Sequence, residues 1–301
     1  MIGKRNRKKI YASIVQSQTK ISICDVGSAG ERPYFLNEIS NSLIYTDFEA
    51  NSNGELFGLG KHEAIAKLYR TKNSHMSSVY KPNIDYLSSR FQDSHWSDRE
   101  VQSAIEFKVV KLDDIFDTNK NLDFLKIDTQ GSEYSVLQGA KNTILKHKPI
   151  IYCECWLDSV YEDAPLADKI MDFMFELNYR VAALQVGADW DTQNAQKIPG
   201  RKIPVGIDFI FVPDPSHLKE NENNDIRSII AKCAILECLG LFQLAIEVSK
   251  TLSSKAKSKC PYFMTQSMRI ESLPHPKLVK LLDAFARGPF KNFKLVPNLY
   301  D

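Results

Sequence analysis

Acids set beside small residues at the ends of apolar runs carry the first chemical content of this sequence. Asp25-Val26-Gly27-Ser28-Ala29-Gly30 follows an apolar run beginning at Ile21. Small residues after a strand let the backbone approach a ligand, and a helix N-terminus beyond them favours polar or anionic groups. The dinucleotide fingerprint needs three spaced glycines, and only Gly27 and Gly30 are present. Asp25 would repel a pyrophosphate and suits a ligand bearing an ammonium. S-adenosyl-L-methionine has that group and NAD lacks it. The other reading of Asp25 is a pin that fixes the loop without touching ligand. Glu49 lies nineteen positions beyond Gly30, at the end of the next apolar run. An acid so placed accepts hydrogen bonds from ribose hydroxyls. Asp47 shares its strand face and reads as a solvated strand end.

A second group of acids suits proton transfer. Asp128 ends one apolar run and Glu133 follows five positions later, so both could line a cleft at the carboxyl ends of strands. Glu133 reads equally as a cap in the first turn of a helix. Glu154 sits between Cys153 and Cys155 inside an apolar run, where an acid needs a partner. That partner is either the methyl acceptor or Lys126 on the neighbouring strand. His75 and His95 fall in the poorly patterned stretch 72–104, which is expected to cover the cleft and where a lone histidine reads as a surface residue.

The elements that must hold these residues follow from periodicity. Strands are expected at 21–30, 42–50, 56–60, 65–71 and 105–112. A strand–loop–helix–strand unit covers 121–157, with the helix at 132–146, started by Ser132 and Glu133 and stopped by Pro149. A helix and strand over 163–184 and a strand at 202–213 complete an α/β pattern with a mainly parallel, doubly wound sheet. An acidic linker at 219–225 leads to helices near 226–238, 241–252 and 276–287. The expected organisation is a basic arm at 1–20, a main domain at 21–215 and a helical C-terminal extension at 216–301.

Asp25-Val26-Gly27, Phe48-Glu49-Ala50, Leu112-Asp113-Asp114, the run from Asp123 through Asp128-Thr129-Gln130-Gly131-Ser132-Glu133, and Val136-Leu137-Gln138-Gly139-Ala140 together resemble the FkbM family of methyltransferases, in matching order from residue 21 to about 185. The resemblance implies a seven-stranded, Rossmann-like class I methyltransferase sheet and S-adenosyl-L-methionine as donor. It also implies O-methylation of a hydroxyl on a sugar, glycan, lipid-linked saccharide or polyketide-type acceptor, as in polysaccharide biosynthesis. Carried across, Asp25, Gly27 and Gly30 fall in the cofactor loop, Glu49 on the ribose-binding acid and Asp128 at the strand end facing the transferring methyl. The residues themselves add Ser28 to the cofactor loop and Glu133 and Glu154 beside Asp128 as catalytic candidates. Ser77 and Ser78 match the family's paired serines. Ala50 replaces the usual proline, the segment after Glu49 is too short for the customary helix, and Lys61-His62-Glu63 stands where an acid near adenine is usual.

Composition bounds the rest. Of 301 residues, 43% are hydrophobic and 25% charged, ordinary for a globular protein, and no run approaches a membrane span. Six cysteines without metal-ligand spacing suggest reduced thiols, a cytoplasmic setting and no metal site. Residues 1–20 carry six basic and no acidic side chains, and residues 251–301 nine basic against three acidic. These ends read as solvated termini or as a peripheral contact with an anionic surface. An NAD-dependent oxidoreductase shares the strand–loop–helix but would more often carry a third glycine. A nucleic-acid amino methyltransferase would carry paired prolines after the acid, where this chain has Asp128-Thr129-Gln130-Gly131. No stable nucleic-acid partner is expected. A non-catalytic module on the same fold is a third reading. The apolar stripe of the C-terminal helices reads as packing or as a homodimer or acceptor-docking face.

Overall fold

Apolar runs rich in Ile, Val, Phe and Leu form nine strands among the described residues. The structure, a computed structural model, describes residues 20–27, 33–48, 57–116, 121–193, 195, 201–218 and 226–251. The expectations for the basic arm (apart from Lys20), Ser28, Gly30, Glu49, the 219–225 linker and the helix near 276–287 lie outside these residues. In chain order the strands are β1 (Ile21–Val26), β2 (Leu43–Phe48), β3 (Phe57–Leu59), β4 (Ala64–Thr71), β5 (Val101–Val110), β6 (Phe124–Ile127), β7 (Ile150–Trp156), β8 (Tyr179–Trp190) and β9 (Ile203–Pro213). The longer helices are α1 (Ile84–Arg90), α2 (Glu133–Gly139), α3 (Lys141–His147), α4 (Ala167–Glu176), α5 (Ile226–Cys238) and α6 (Phe242–Ser249).

Two compact units contain these elements. One comprises Lys20–Tyr34 and Leu43–Asn223 and holds both sheets. Its main sheet has the order β2-β1-β6-β7-β9-β8. The first four strands are parallel, β9 runs antiparallel to β7, and β8 antiparallel to β9. The carboxyl ends of β1, β2, β6, β7 and β8 therefore lie on one edge. Six strands enter this sheet, where the resemblance implied seven. The strands expected at 56–60, 65–71 and 105–112 form a separate three-stranded sheet, β3-β5-β4, instead. The second unit holds, among the described residues, the segment Phe35–Ser42 and the helices α5 and α6. These two helices pair across a turn at Gly240 (φ +74°), where the Leu241 amide donates to the Leu236 carbonyl at 2.7 Å.

One helix was expected over 132–146, and the chain makes two. It turns at Ala140, and Asp113 takes over the first turn of α3 by accepting the Asn142 and Thr143 amides at 3.0 and 2.8 Å. A carboxylate at a helix start satisfies amides that have no partner in the helix. Lys148 closes α3 in the left-handed region (φ 47°), and Pro149 follows. Helix α1 escaped the sequence reading because it contributes a single buried residue, Leu87. On one face of the main sheet, Val136, Leu137, Ile144, Ile170 and Met174 pack against Leu125, Ile127, Cys153 and Phe211. No helix among the described residues is long and apolar enough to cross a membrane.

The small sheet meets α2 at a glycine. A Cβ on Gly139 would stand 1.9 Å from the Gly60 carbonyl oxygen, closer than any atom pair allows. Backbone on both sides leaves nothing flexible to move aside. Gly139→Ala is expected to lower stability by roughly 3 kcal/mol, read from urea unfolding, with the loss carried by the midpoint rather than by the slope.

Candidate active site

At the carboxyl edge of the main sheet, β1 and β6 lie side by side in register, with Asp25 opposite Lys126. Gly27 carries β1 into a turn at φ +80°, and a Cβ there would sit 1.9 Å from the Asp128 carbonyl oxygen. Only glycine permits that approach. The Gly27 amide donates to the Phe48 carbonyl at 2.9 Å, and the Asp128 amide to the Val26 carbonyl at 3.0 Å. The ends of β1, β2 and β6 are thereby tied into one platform.

Beneath the platform sits a buried ion triad. Lys126 Nζ lies 3.3 Å from Asp25 Oδ1 and 3.3 Å from Asp128 Oδ2. The other oxygen of Asp25 accepts a hydrogen bond from the Tyr45 hydroxyl. Asp25 is fully buried with both oxygens engaged inside the protein. Burial raises its pKa, against the opposing pull of Lys126 and the Tyr45 hydroxyl. Burial also works against charge on Lys126, but the two aspartates outweigh it and hold its pKa above the ordinary value. Asp128 differs from Asp25 in being reachable, with a third of its side chain (33%) exposed.

The loop after Asp128 is folded around two polar side chains. Glu133 is buried and turns back on the loop instead of facing the cleft. It accepts the Thr129 amide at 2.8 Å, the Thr129 hydroxyl at 3.1 Å and the Gly131 amide at 2.9 Å. Ser132 makes no side-chain cap for α2, so Glu133 alone supplies the polar start expected of the pair. Burial pushes the Glu133 carboxyl up to about 7, against the loop amides, which favour its charged form.

Gln130 is the hub of the loop. It adopts the left-handed region (φ 58°), next to Gly131 at φ 113°. Its Nε2 donates to Asp128 Oδ1 at 3.2 Å and to Glu154 Oε2 at 2.6 Å. Its Oε1 lies 2.9 Å from the Tyr161 hydroxyl, and its carbonyl accepts from Ser78 Oγ at 2.6 Å. Glu154 thus finds its partner in Gln130, not in Lys126. Burial first, and the charge of Asp128 second, drive the Glu154 pKa well above the ordinary carboxylate range; the two carboxyls also hydrogen-bond each other. Asp208, opposite Glu154 on β9, is pushed up to about 6 by burial.

Sequence reasoning reached Asp25, Gly27, Asp128, Glu133 and Glu154, and the described residues bring them to one edge. Asp47 is exposed, as expected of a solvated strand end. His75 is exposed, whereas His95 stacks on Trp190 at 5.5 Å. Lys61 and His62 line a cleft of about 220 Å³ with Tyr80, Ser132 and Ser135. Ser78 has a structural part: it ties the 72–80 segment to the Gln130 carbonyl. Tyr45 and Gln130 were missed. Lys126 carried a signal, a lysine between Leu125 and Ile127 in a buried strand, whereas Gln130 carried none beyond its place beside Gly131.

A family model described as the methyltransferase FkbM domain matches residues 18–181. Among curated proteins nothing matches. A solved structure of a methyltransferase FkbM from Methylobacillus flagellatus KT is similar at 16% identity and a TM-score of 0.36. The similarity covers 64% of this chain and 44% of that one, so the chain spans less than half of that protein's length.

Glu133 gives a pH test. Its folded-state pKa, about 7, lies above the ordinary 4.5. The folded protein therefore holds a proton that the unfolded chain releases, and this contribution to stability is full below the ordinary pKa and lost as pH rises towards 7. Between about pH 5 and about pH 7.5 the wild type should lose on the order of 3 kcal/mol more than Glu133→Gln, measured by urea unfolding at both values.

Proposed function

The chain belongs to the FkbM methyltransferase family, and from that premise we propose that it O-methylates a hydroxyl of a sugar, glycan, lipid-linked saccharide or polyketide-type acceptor with S-adenosyl-L-methionine as donor. When bound, that cofactor supplies an electrophilic methyl group on a sulfonium. The residues present fit it. A glycine turn at the end of β1 abuts Asp128, whose partly exposed carboxylate can accept the cofactor's polar hydrogens. Gly27 and Asp128 would hold it, with Ser28, Gly30 and Glu49 from outside the described residues. Asp25, buried and doubly bonded, positions this wall through Lys126.

The observation that carries the reading is the pair Asp128 and Glu154, bridged by Gln130 at the open edge of the sheet. In this proposal the Asp128 carboxylate would orient the acceptor hydroxyl and take its proton as the oxygen gains the methyl group, the methyl–sulfur bond breaking to leave a neutral thioether. Lys126 keeps Asp128 in place, and Glu154, held protonated, donates to it. Glu133 fixes the loop and contacts no substrate. Residues 21–215 would carry this chemistry. The helical extension and the basic arm would serve acceptor docking, contact with an anionic surface or pairing of two copies, in a reduced cytoplasmic setting.

Transfer of labelled methyl from S-adenosyl-L-methionine to fractionated cell glycans and lipids tests the reading, with mass spectrometry locating one added methylene. Asp128→Asn should lower transfer at least ~100-fold, read at saturating S-adenosyl-L-methionine. Glu154→Gln, a neutral mimic of the protonated acid, should stay within about tenfold of wild type. Undiminished transfer by Asp128→Asn, or methyl appearing on protein or nucleic acid instead, would sink it.

A further inference from the structure

Beyond Asp128 on the same edge lies a cation whose role the proposed chemistry does not use. Arg99 is 5% exposed. Its Nη1 donates to the His95 carbonyl at 2.7 Å, and its guanidinium hydrogen-bonds the Tyr161 hydroxyl. The guanidinium carbon stands 4.7 Å from the Trp190 ring centre and 5.7 Å from that of Trp156. No carboxylate among the described residues pairs with it. Asp191, the acid beside His95, is engaged by Lys202 at 3.2 Å and His95 at 3.8 Å.

Two buried N–H donors here have no partner at all: Nε of Arg99 and the indole nitrogen of Trp156. Trp156, 2% exposed, is the last residue of β7, and Trp190 is the last of β8. Both mark the edge at which Asp128 and Glu154 lie, and Tyr161 joins the groups: it bonds Arg99 on one side and Gln130 on the other. A buried guanidinium with an open Nε beside an open indole N–H is costly unless an anion completes it. Contact with two indole faces offsets part of that cost but satisfies no N–H.

We propose that Arg99 and Trp156 form an anion subsite for the methyl acceptor, so that the acceptor carries a carboxylate or a phosphate near the hydroxyl that is methylated. This rests on the methyltransferase reading and narrows its substrate class from hydroxyl compounds in general to acidic ones. The open Nε–H of the guanidinium offers an oxyanion one charge-assisted donor, and the indole N–H adds a second. Arg99 ends the single 3-10 turn Ser97–Arg99, whose Asp98 forms the exposed pair with Lys72 at 3.7 Å; a ligand would enter by displacing this turn.

Binding separates this proposal from turnover. The full chain, saturated with S-adenosylhomocysteine, is titrated by calorimetry with methyl glucuronide, glucose 6-phosphate and methyl glucoside. At least about tenfold tighter binding of one anionic probe than of the neutral glucoside is expected, and which one binds tells carboxylate from phosphate. Arg99→Met should erase that gap and leave S-adenosylhomocysteine affinity unchanged; Arg99→Lys, which keeps the charge without the fork, should restore part of it. Equal binding of the three probes to the wild type, or no binding of either anion, overturns the subsite whether or not the variants fold. So does an Arg99→Met protein that folds and keeps the gap. Failure to bind S-adenosylhomocysteine would instead strike the methyltransferase reading.

Discussion

A lysine buried between two aspartates holds the working edge of this fold together. Lys126 has carboxylate oxygens of Asp25 and Asp128 at 3.3 Å on either side. Asp25, fully buried, keeps its charge with the help of this lysine, and the two aspartates in turn favour the charged form of Lys126. Loss of one partner from such a set leaves an uncompensated buried charge, which costs more than the pair contributes when intact. The triad therefore acts as a lock joining the last residues of β1 to the first residue after β6. The Gly27 turn, packed on the Asp128 carbonyl, is built on that lock.

The loop from Thr129 to Glu133 depends on the same edge being fixed. Two consecutive residues, Gln130 and Gly131, are in positive φ, a costly geometry that persists only when its surroundings over-determine it. Here they do. Glu133 closes the loop from within, Ser78 holds the Gln130 carbonyl from the 72–80 segment, and Tyr161 meets the Gln130 side chain from beyond β7. Three stretches far apart in sequence thus agree on one backbone conformation. Its product is the placement of the Gln130 amide between Asp128 and Glu154.

Much of this was legible in the sequence, and the reasons differ by residue. The strands showed because β-branched and aromatic runs alternate with turn residues, and the acids showed because carboxylates at the ends of such runs are conspicuous. The partition into two sheets did not show, because a strand's sequence does not encode which neighbour it pairs with. The break at Ala140 was hidden because its cause, the Asp113 carboxylate, comes from about thirty residues upstream. Glu133 was visible as an acid near a helix start, but the choice between cleft and cap turns on a backbone reversal that no spacing reveals. Tyr45 was out of reach, since its partner Asp25 lies on the adjacent strand, across a register that only pairing defines.

The charge balance of the edge finally says what kind of chemistry it can support. Asp25, Asp128 and Asp208 act on or feel Lys126, and Glu133 and Glu154 feel the charge of Asp128. Five carboxylates cannot all remain ionised beside one ammonium in a poorly hydrated setting, so protons are retained on the most enclosed of them. Burial favours the protonated form at Glu133 and Glu154, whereas Lys126 and the Tyr45 hydroxyl pull Asp25 towards its charged form. The same bookkeeping fails at Arg99, where a cation has no acid to balance it. That imbalance is what the proposed anion subsite rests on.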